Sequence, residues 1–174
     1  MKMFEFAIVA FGQSIEDDEF LNAVFEAGCD DATLSFQKGV IVAEFAREAE
    51  SFAKAIASAC HQLRQTGVKI ERIEPDYLVS LSEIAERSNL SRQRISLYAK
   101  GERLEEFPHP TVKFTSNHPL WDWYQVAEWL YRNNNLAKEV VVEAKVVRQA
   151  NIHIDMLDMP DGKFSSQLEQ CEVI

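Results

Sequence analysis

The sequence predicts an α+β protein, and two observations predict it. Up to residue 77 the apolar residues fall into four strand-like runs separated by two helix-spaced runs. Beyond residue 77 the pattern changes to short amphipathic helices interrupted by one proline-rich, turn-rich stretch. The bulk figures suit a soluble globular chain: 174 residues, 47% hydrophobic and 26% charged. No run of 18 apolar residues occurs, which excludes a membrane-spanning helix. Met1-Lys2-Met3-Phe4-Glu5 puts an acid where the apolar core of a signal peptide would lie. Cys29, Cys60 and Cys171 are odd in number and scattered, as reduced thiols are, so a cytoplasmic location is expected.

The first strand is read over 3–12, with Phe4, Phe6, Ile8 and Ala10 alternating with Ala7, Val9 and Phe11. Apolar residues on both sides suit a strand flanked on both sides. Ser14 and Asp17 have the spacing of a helix start, and Asp17, Asp18 and Glu19 complement the positive helix end. Phe20, Val24 and Ala27 then recur at helical spacing before Gly28 stops the run. A strand over 32–37 alternates, Lys38-Gly39 turns the chain, and 40–45 is a second apolar strand. From Ser51 a helix places Phe52, Ile56, Ala59 and Leu63 on one stripe up to Gly67, and 68–73 forms a charge-laced strand.

The order β-α-β-β-α-β over 1–76 is the split pattern of ferredoxin-like domains, here with a sensor or dimerisation role. Strands one and three are the apolar runs and are expected at the centre, with strands two and four at the edges. Both helices should cover one face, leaving the other solvated, paired or covered. Phe4, Phe6, Phe11 and Phe45 are read as core, because Glu5 and Glu44 are the wrong neighbours for an RNA-stacking platform.

Charge sharpens the division. The chain carries 18 basic and 28 acidic side chains, a net of −10, which argues against general affinity for nucleic acid. The acids concentrate outside 78–115, where six bases meet five acids. Within that stretch Ser80 and Glu83 have capping-box spacing ahead of a short helix ending at Ser88. Asn89 stands where a left-handed residue is needed, and Leu90 plugs the turn. Ser91 caps a second helix through Lys100, and Gly101 ends it. Ile84, Ala85, Leu90, Ile95 and Tyr98 form the buried set, which leaves Arg92, Gln93, Ser96 and Lys100 outward. That is the spacing and chemistry of a helix-turn-helix.

Prolines at 108 and 110 then stop any helix, a strand follows at 111–114, and 115–119 is a turn-rich tip. Leu120-Trp121 returns as a strand before a helix carrying Trp123, Val126, Ala127 and Leu130. A hairpin placed so makes a winged helix over 78–133. Residues 80–131 resemble the winged-helix domain of phage excisionases and the related MerR-type regulators. The resemblance lies in Leu81-Ser82-Glu83-Ile84-Ala85, Leu90-Ser91-Arg92, Phe107-Pro108-x-Pro110 and Leu120-Trp121 before Val126-Ala127-Glu128-Trp129-Leu130. It covers about a third of the chain, and departs from the family at Asn89, where Gly is usual, and at Glu102, Glu105 and Glu106. It implies a bacterial or phage transcriptional regulator that reads double-stranded DNA. The helix 91–100 would enter the major groove and a wing at 111–121 would meet flanking DNA. Arg92 and Gln93 are assigned to bases, Arg94, Lys100 and Lys113 to phosphates, with Ser91, Ser96, Ser116 and Asn117 beside them.

After Asn133-Asn134-Asn135 a helix is read over 137–149, with Val140, Ala144, Val147 and Ile154 on a stripe. The Val140-Val141-Val142 cluster leaves a strand open over part of 138–156. In the regulators it resembles, such a helix joins two copies, so the segment 136–158 is expected to make a homodimer. Packing on its own first domain stays open, and 159–174 reads as a tail. His61, His109, His118 and His153 are dispersed, and no Cys or His pair has zinc spacing. Neither cofactor, metal nor catalysis is expected. The alternative function is a protein-interaction module, antitoxin-like or inhibitory, whose acidic first domain would cover a protein partner.

Overall fold

A computed structural model describes residues 1–14, 16–155 and 161–172. The chain is mixed α+β and divides into two compact units, Met1–Pro75 with Val146–Ile174, and Asp76–Lys145.

In the first unit β1 (Lys2–Phe11), α1 (Asp18–Glu26), β2 (Ala32–Gln37), β3 (Val40–Ala49), α2 (Phe52–Gln65) and β4 (Lys69–Glu74) follow in order. The antiparallel sheet runs β2-β3-β1-β4, so the two most apolar strands lie at its centre. Phe4, Phe6, Ile8 and Ala10 of β1 and Ile41, Ala43 and Phe45 of β3 are buried with Phe20, Val24, Ile56, Ala59 and Leu63 of the helices. On the other sheet face Met3, Glu5, Glu44, Ala46 and Glu48 are exposed, and Ala7, Val9 and Val42 are half-buried. Phe11 belongs to that second face, is 37% exposed and lies under the Lys69 ammonium, so it is not a core residue. Alternation decides this: Phe11 is an odd position on a strand whose even positions face the helices.

Two boundaries differ from expectation. α1 is capped by Asp17, whose carboxylate accepts from the Glu19 N–H at 2.9 Å, and not by Ser14, which accepts from Glu16. β3 continues four residues past Phe45, because Arg47 and Ala49 keep the inward alternation. Arg47 is buried and fully occupied. Its guanidinium holds both oxygens of Asp31 at 2.7 and 2.8 Å and donates to Ser58, Gln62 and the Gly28 carbonyl.

The second unit holds β5 (Leu78–Val79), α3 (Leu81–Ser88), α4 (Arg92–Ala99), β6 (Trp121–Asp122), α5 (Trp123–Arg132) and the first part of α6 (Lys138–Asp155). Residues 138–155 are helical throughout, so the valine cluster forms no strand. Of the stripe Val140, Ala144, Val147 and Ile154, Ala144 is buried in the core of the second unit with Val140 half-buried against it, and Val147 is buried in that of the first with Ile154 against it.

The expected tail is corrected over its described part. Residues 156–160 and 173–174 lie outside the described residues, but Asp161–Gln170 forms α7. Phe164, Leu168 and Cys171 are buried against α2, and the Glu172 carboxylate accepts from the Ala53 N–H at 2.9 Å in the first turn of α2. The polar residues between these three concealed the period.

Candidate nucleic-acid interface

The candidate surface is set by how α3 and α4 are locked. Ser80 Oγ accepts from the Glu83 N–H at 3.3 Å, and Glu83 Oε2 accepts from the Ser80 N–H at 2.7 Å, a complete capping box. The Ser80 backbone N–H, helped by its hydroxyl and by Arg87, holds the Glu83 carboxyl below the usual carboxylate range. Asn89 adopts φ 53° and ψ 33°, the left-handed turn for which Asn is suited, and the Leu90 N–H reaches back to the Ala85 carbonyl at 3.0 Å. Ser91 then caps α4 by accepting from the Arg94 N–H at 3.2 Å. Ile84, Ile95 and Tyr98 are fully buried, and the Tyr98 ring meets Trp129 edge-on at 5.0 Å.

This packing turns one side of α4 outward. Ser91, Arg92, Gln93 and Lys100 are exposed, and Ser96 is half-buried. The Arg92 guanidinium donates back to Ser82 Oγ of α3. Arg94 departs from its assignment to phosphate. Its Nε donates to the Tyr98 hydroxyl and its Nη2 to Asn135 Oδ1, with the guanidinium over the Tyr98 ring, so it braces α4 inside the unit. One residue of rotation explains the difference, since Arg94 and Tyr98 share a helix face four residues apart.

The segment between α4 and β6 is fixed by two indoles. Trp129 Nε1 donates to the Glu105 carbonyl at 3.1 Å and Trp121 Nε1 to that of Pro108 at 3.0 Å, while Phe107 is buried between Tyr98 and Trp129. β6 pairs with β5, Val79 opposite Trp121, a pairing the sequence did not disclose because each strand is two residues long.

The expected wing hairpin is reduced to one bridge. Val112 and Leu120 exchange hydrogen bonds at 3.1 and 3.2 Å, and no strand spans 111–114. Lys113 takes φ 53°, which turns the chain out of extended geometry one residue later. The Ser116 N–H bonds to the Lys113 carbonyl at 3.0 Å, and the His118 N–H to Ser116 Oγ at 3.0 Å. Lys113, Ser116 and Asn117 are exposed on this loop. Beside them Phe114 is 65% exposed, a position the sequence assigned to a strand and to no function. An aromatic next to a base at a polar loop tip was the available signal.

Glu102, Glu105 and Glu106 are exposed just beyond α4. Among the described residues no group of three or more His, Cys, Asp or Glu could hold a metal ion, and no helix is long and apolar enough to cross a membrane. Compared with family models, curated proteins and solved structures, the chain finds no match.

Proposed function

We propose that the chain is a sequence-specific DNA-binding transcriptional regulator of bacterial or phage type, acting in the cytoplasm as a homodimer. In this reading Met1–Pro75 is a ferredoxin-like domain and the α3–α4 pair with the 111–121 loop is an excisionase-like winged helix-turn-helix. The observation that supports it is the locked turn at Asn89, which directs Ser91, Arg92, Gln93 and Lys100 to one exposed face of α4. Arg and Gln at the start of a helix offer paired donors and acceptors to base edges in a major groove. Lys100 and Lys113 offer point charges to phosphate, and Phe114 joins Lys113, Ser116 and Asn117 as a contact of the wing. The acidic remainder suppresses adhesion to arbitrary polyanions, so the regulator relies on its specific contacts.

The test of the electrostatic part is a titration of the full chain with a random-sequence duplex over a salt series. Lys113→Ala should weaken binding on every duplex and reduce the salt slope by about one unit. A slope unchanged by Lys113→Ala and by Lys100→Ala would remove both from the interface.

One observation favours a second reading, an interaction module for a basic protein. Glu5, Glu44 and Glu74 surround Ala7 on the open sheet face, since Ala7 pairs with Glu44 on one side and with Glu74 on the other.

A further inference from the structure

We infer that β2 is a dimerisation edge, pairing antiparallel with β2 of a second copy across a two-fold axis at Leu34. It gives a surface to the homodimer of the proposed function and rests on that part of it, while DNA contact by α4 holds or fails apart from it.

The two edges of the sheet are treated differently. β4 reads Lys-Ile-Glu-Arg-Ile-Glu, carries four charges, is irregular where its register shifts between Val9 and Ala10 of β1, and has its free side bonded by Asn151. Charges, bulges and covering groups are the devices that stop a sheet edge from recruiting another strand. β2 reads Ala-Thr-Leu-Ser-Phe-Gln, without a charge or a proline, and keeps an unbroken register with β3 from Ala32 to Gln37. Phe36 on it is 56% exposed.

The open side of β2 follows from the ladder. The Ala46 N–H bonds to the Asp31 carbonyl, and antiparallel pairs alternate, so Ala32, Leu34 and Phe36 turn their backbone groups away from β3. The Ala32 N–H is used by the Cys29 carbonyl. Among the described residues nothing bonds the Leu34 and Phe36 N–H groups or the Ala32, Leu34 and Phe36 carbonyls on that side.

A second copy satisfies this set except for the Phe36 carbonyl, whose partner in that register, the Ala32 N–H, is already used. With Leu34 opposite Leu34, the two exchange reciprocal N–H···O bonds, and each Phe36 N–H meets the Ala32 carbonyl of the other copy. The exposed Phe36 ring then lies beside Ala32, the smallest residue of the strand. Continuing the same register, Lys38 of one copy falls opposite Asp30 of the other, and both are exposed. The pairing is neutral at its centre and complementary at its ends, whereas the open sheet face, lined with Glu5, Glu44 and Glu48, would repel its own copy. Each backbone group matched is one that a two-fold axis presents twice.

The test is sedimentation equilibrium of the full chain and of Phe36→Lys, Asp30→Lys, Lys38→Asp and the double Asp30→Lys/Lys38→Asp, with circular dichroism to establish folding. The wild-type chain should dimerise. Each single variant should weaken the dimer, Phe36→Lys by roughly tenfold or more, and the double variant should restore it. A monomeric wild-type chain, or a dimer indifferent to folded Phe36→Lys, would overturn the pairing. A double variant no better than its parents would overturn the register.

Discussion

Asn151 of α6 closes both hydrogen bonds that the outer side of β4 leaves open at Ile73. Its Oδ1 accepts from the Ile73 N–H at 2.7 Å, and its Nδ2 donates to the Ile73 carbonyl at 2.9 Å. The side-chain amide reproduces what a neighbouring strand would supply, in a position where both residues are buried. The edge is thereby both satisfied and blocked.

Asn151→Ala should therefore cost about 2–4 kcal/mol, because it strands a buried donor and a buried acceptor together. Asn151→Asp should do little better, since a carboxylate can accept from Ile73 but sets its charge against the carbonyl. Urea unfolding followed by fluorescence measures both. A loss of under about 0.5 kcal/mol, the size of an ordinary surface change, would contradict the role.

Arg47 should be the most sensitive charged residue of the first unit. Removing it leaves Asp31 without its bidentate partner and Gln62 and the Gly28 carbonyl without a donor. Arg47→Ala should destabilise by about 3 kcal/mol, the usual cost of breaking a largely buried ion pair. Arg47→Met, which keeps the packing over Phe45, should lose less. Equal stability of wild type and Arg47→Ala in thermal unfolding would count against this.

The Ser80–Glu83 box gives a pH-dependent term of known sign. The Glu83 carboxyl is depressed in the folded chain relative to its ordinary value of 4.5, so its contribution is fully present above that value. It is lost as pH falls through the lower folded value. Glu83→Gln should be less stable than wild type near neutrality, and the gap should close on acidification. Ser80→Ala should cost about 1 kcal/mol at neutral pH. A gap that stays constant down to strongly acidic pH would show that the carboxylate charge plays no part.

Phe114 separates binding from folding. Being exposed on the 113–119 loop, it should tolerate Ala with a change in stability within about 0.5 kcal/mol. As a contact of the wing, the same substitution should weaken DNA binding several-fold. Unchanged affinity in a fluorescence anisotropy titration would remove Phe114 from the interface.

The elements with strong local signals were legible in the sequence. Alternation located the four strands and their order, and Ser80, Glu83, Asn89 and Ser91 marked both ends of the turn between α3 and α4 before any geometry. What escaped was set by distant partners. Phe11 is as hydrophobic as Phe4, and only the phase of its strand exposes it. Arg94 reads in sequence as a phosphate contact because nothing nearby announces Asn135 as its acceptor. α7 was hidden by Ser165, Ser166, Gln167 and Glu169, whose polarity masks the three residues that dock it on α2. The expected wing strand shortens to the Val112–Leu120 bridge beside the positive φ of Lys113, which composition does not encode.

In the proposed function the outward face of α4 reads DNA sequence. The most direct test of this is selection of bound fragments from a genomic library by the purified full chain, at two salt concentrations, beside an Arg92→Ala/Gln93→Ala variant. One enriched motif that survives the higher salt and disappears in the variant is the predicted result. The absence of any enrichment at low salt, or enrichment unaffected by the variant, would contradict it.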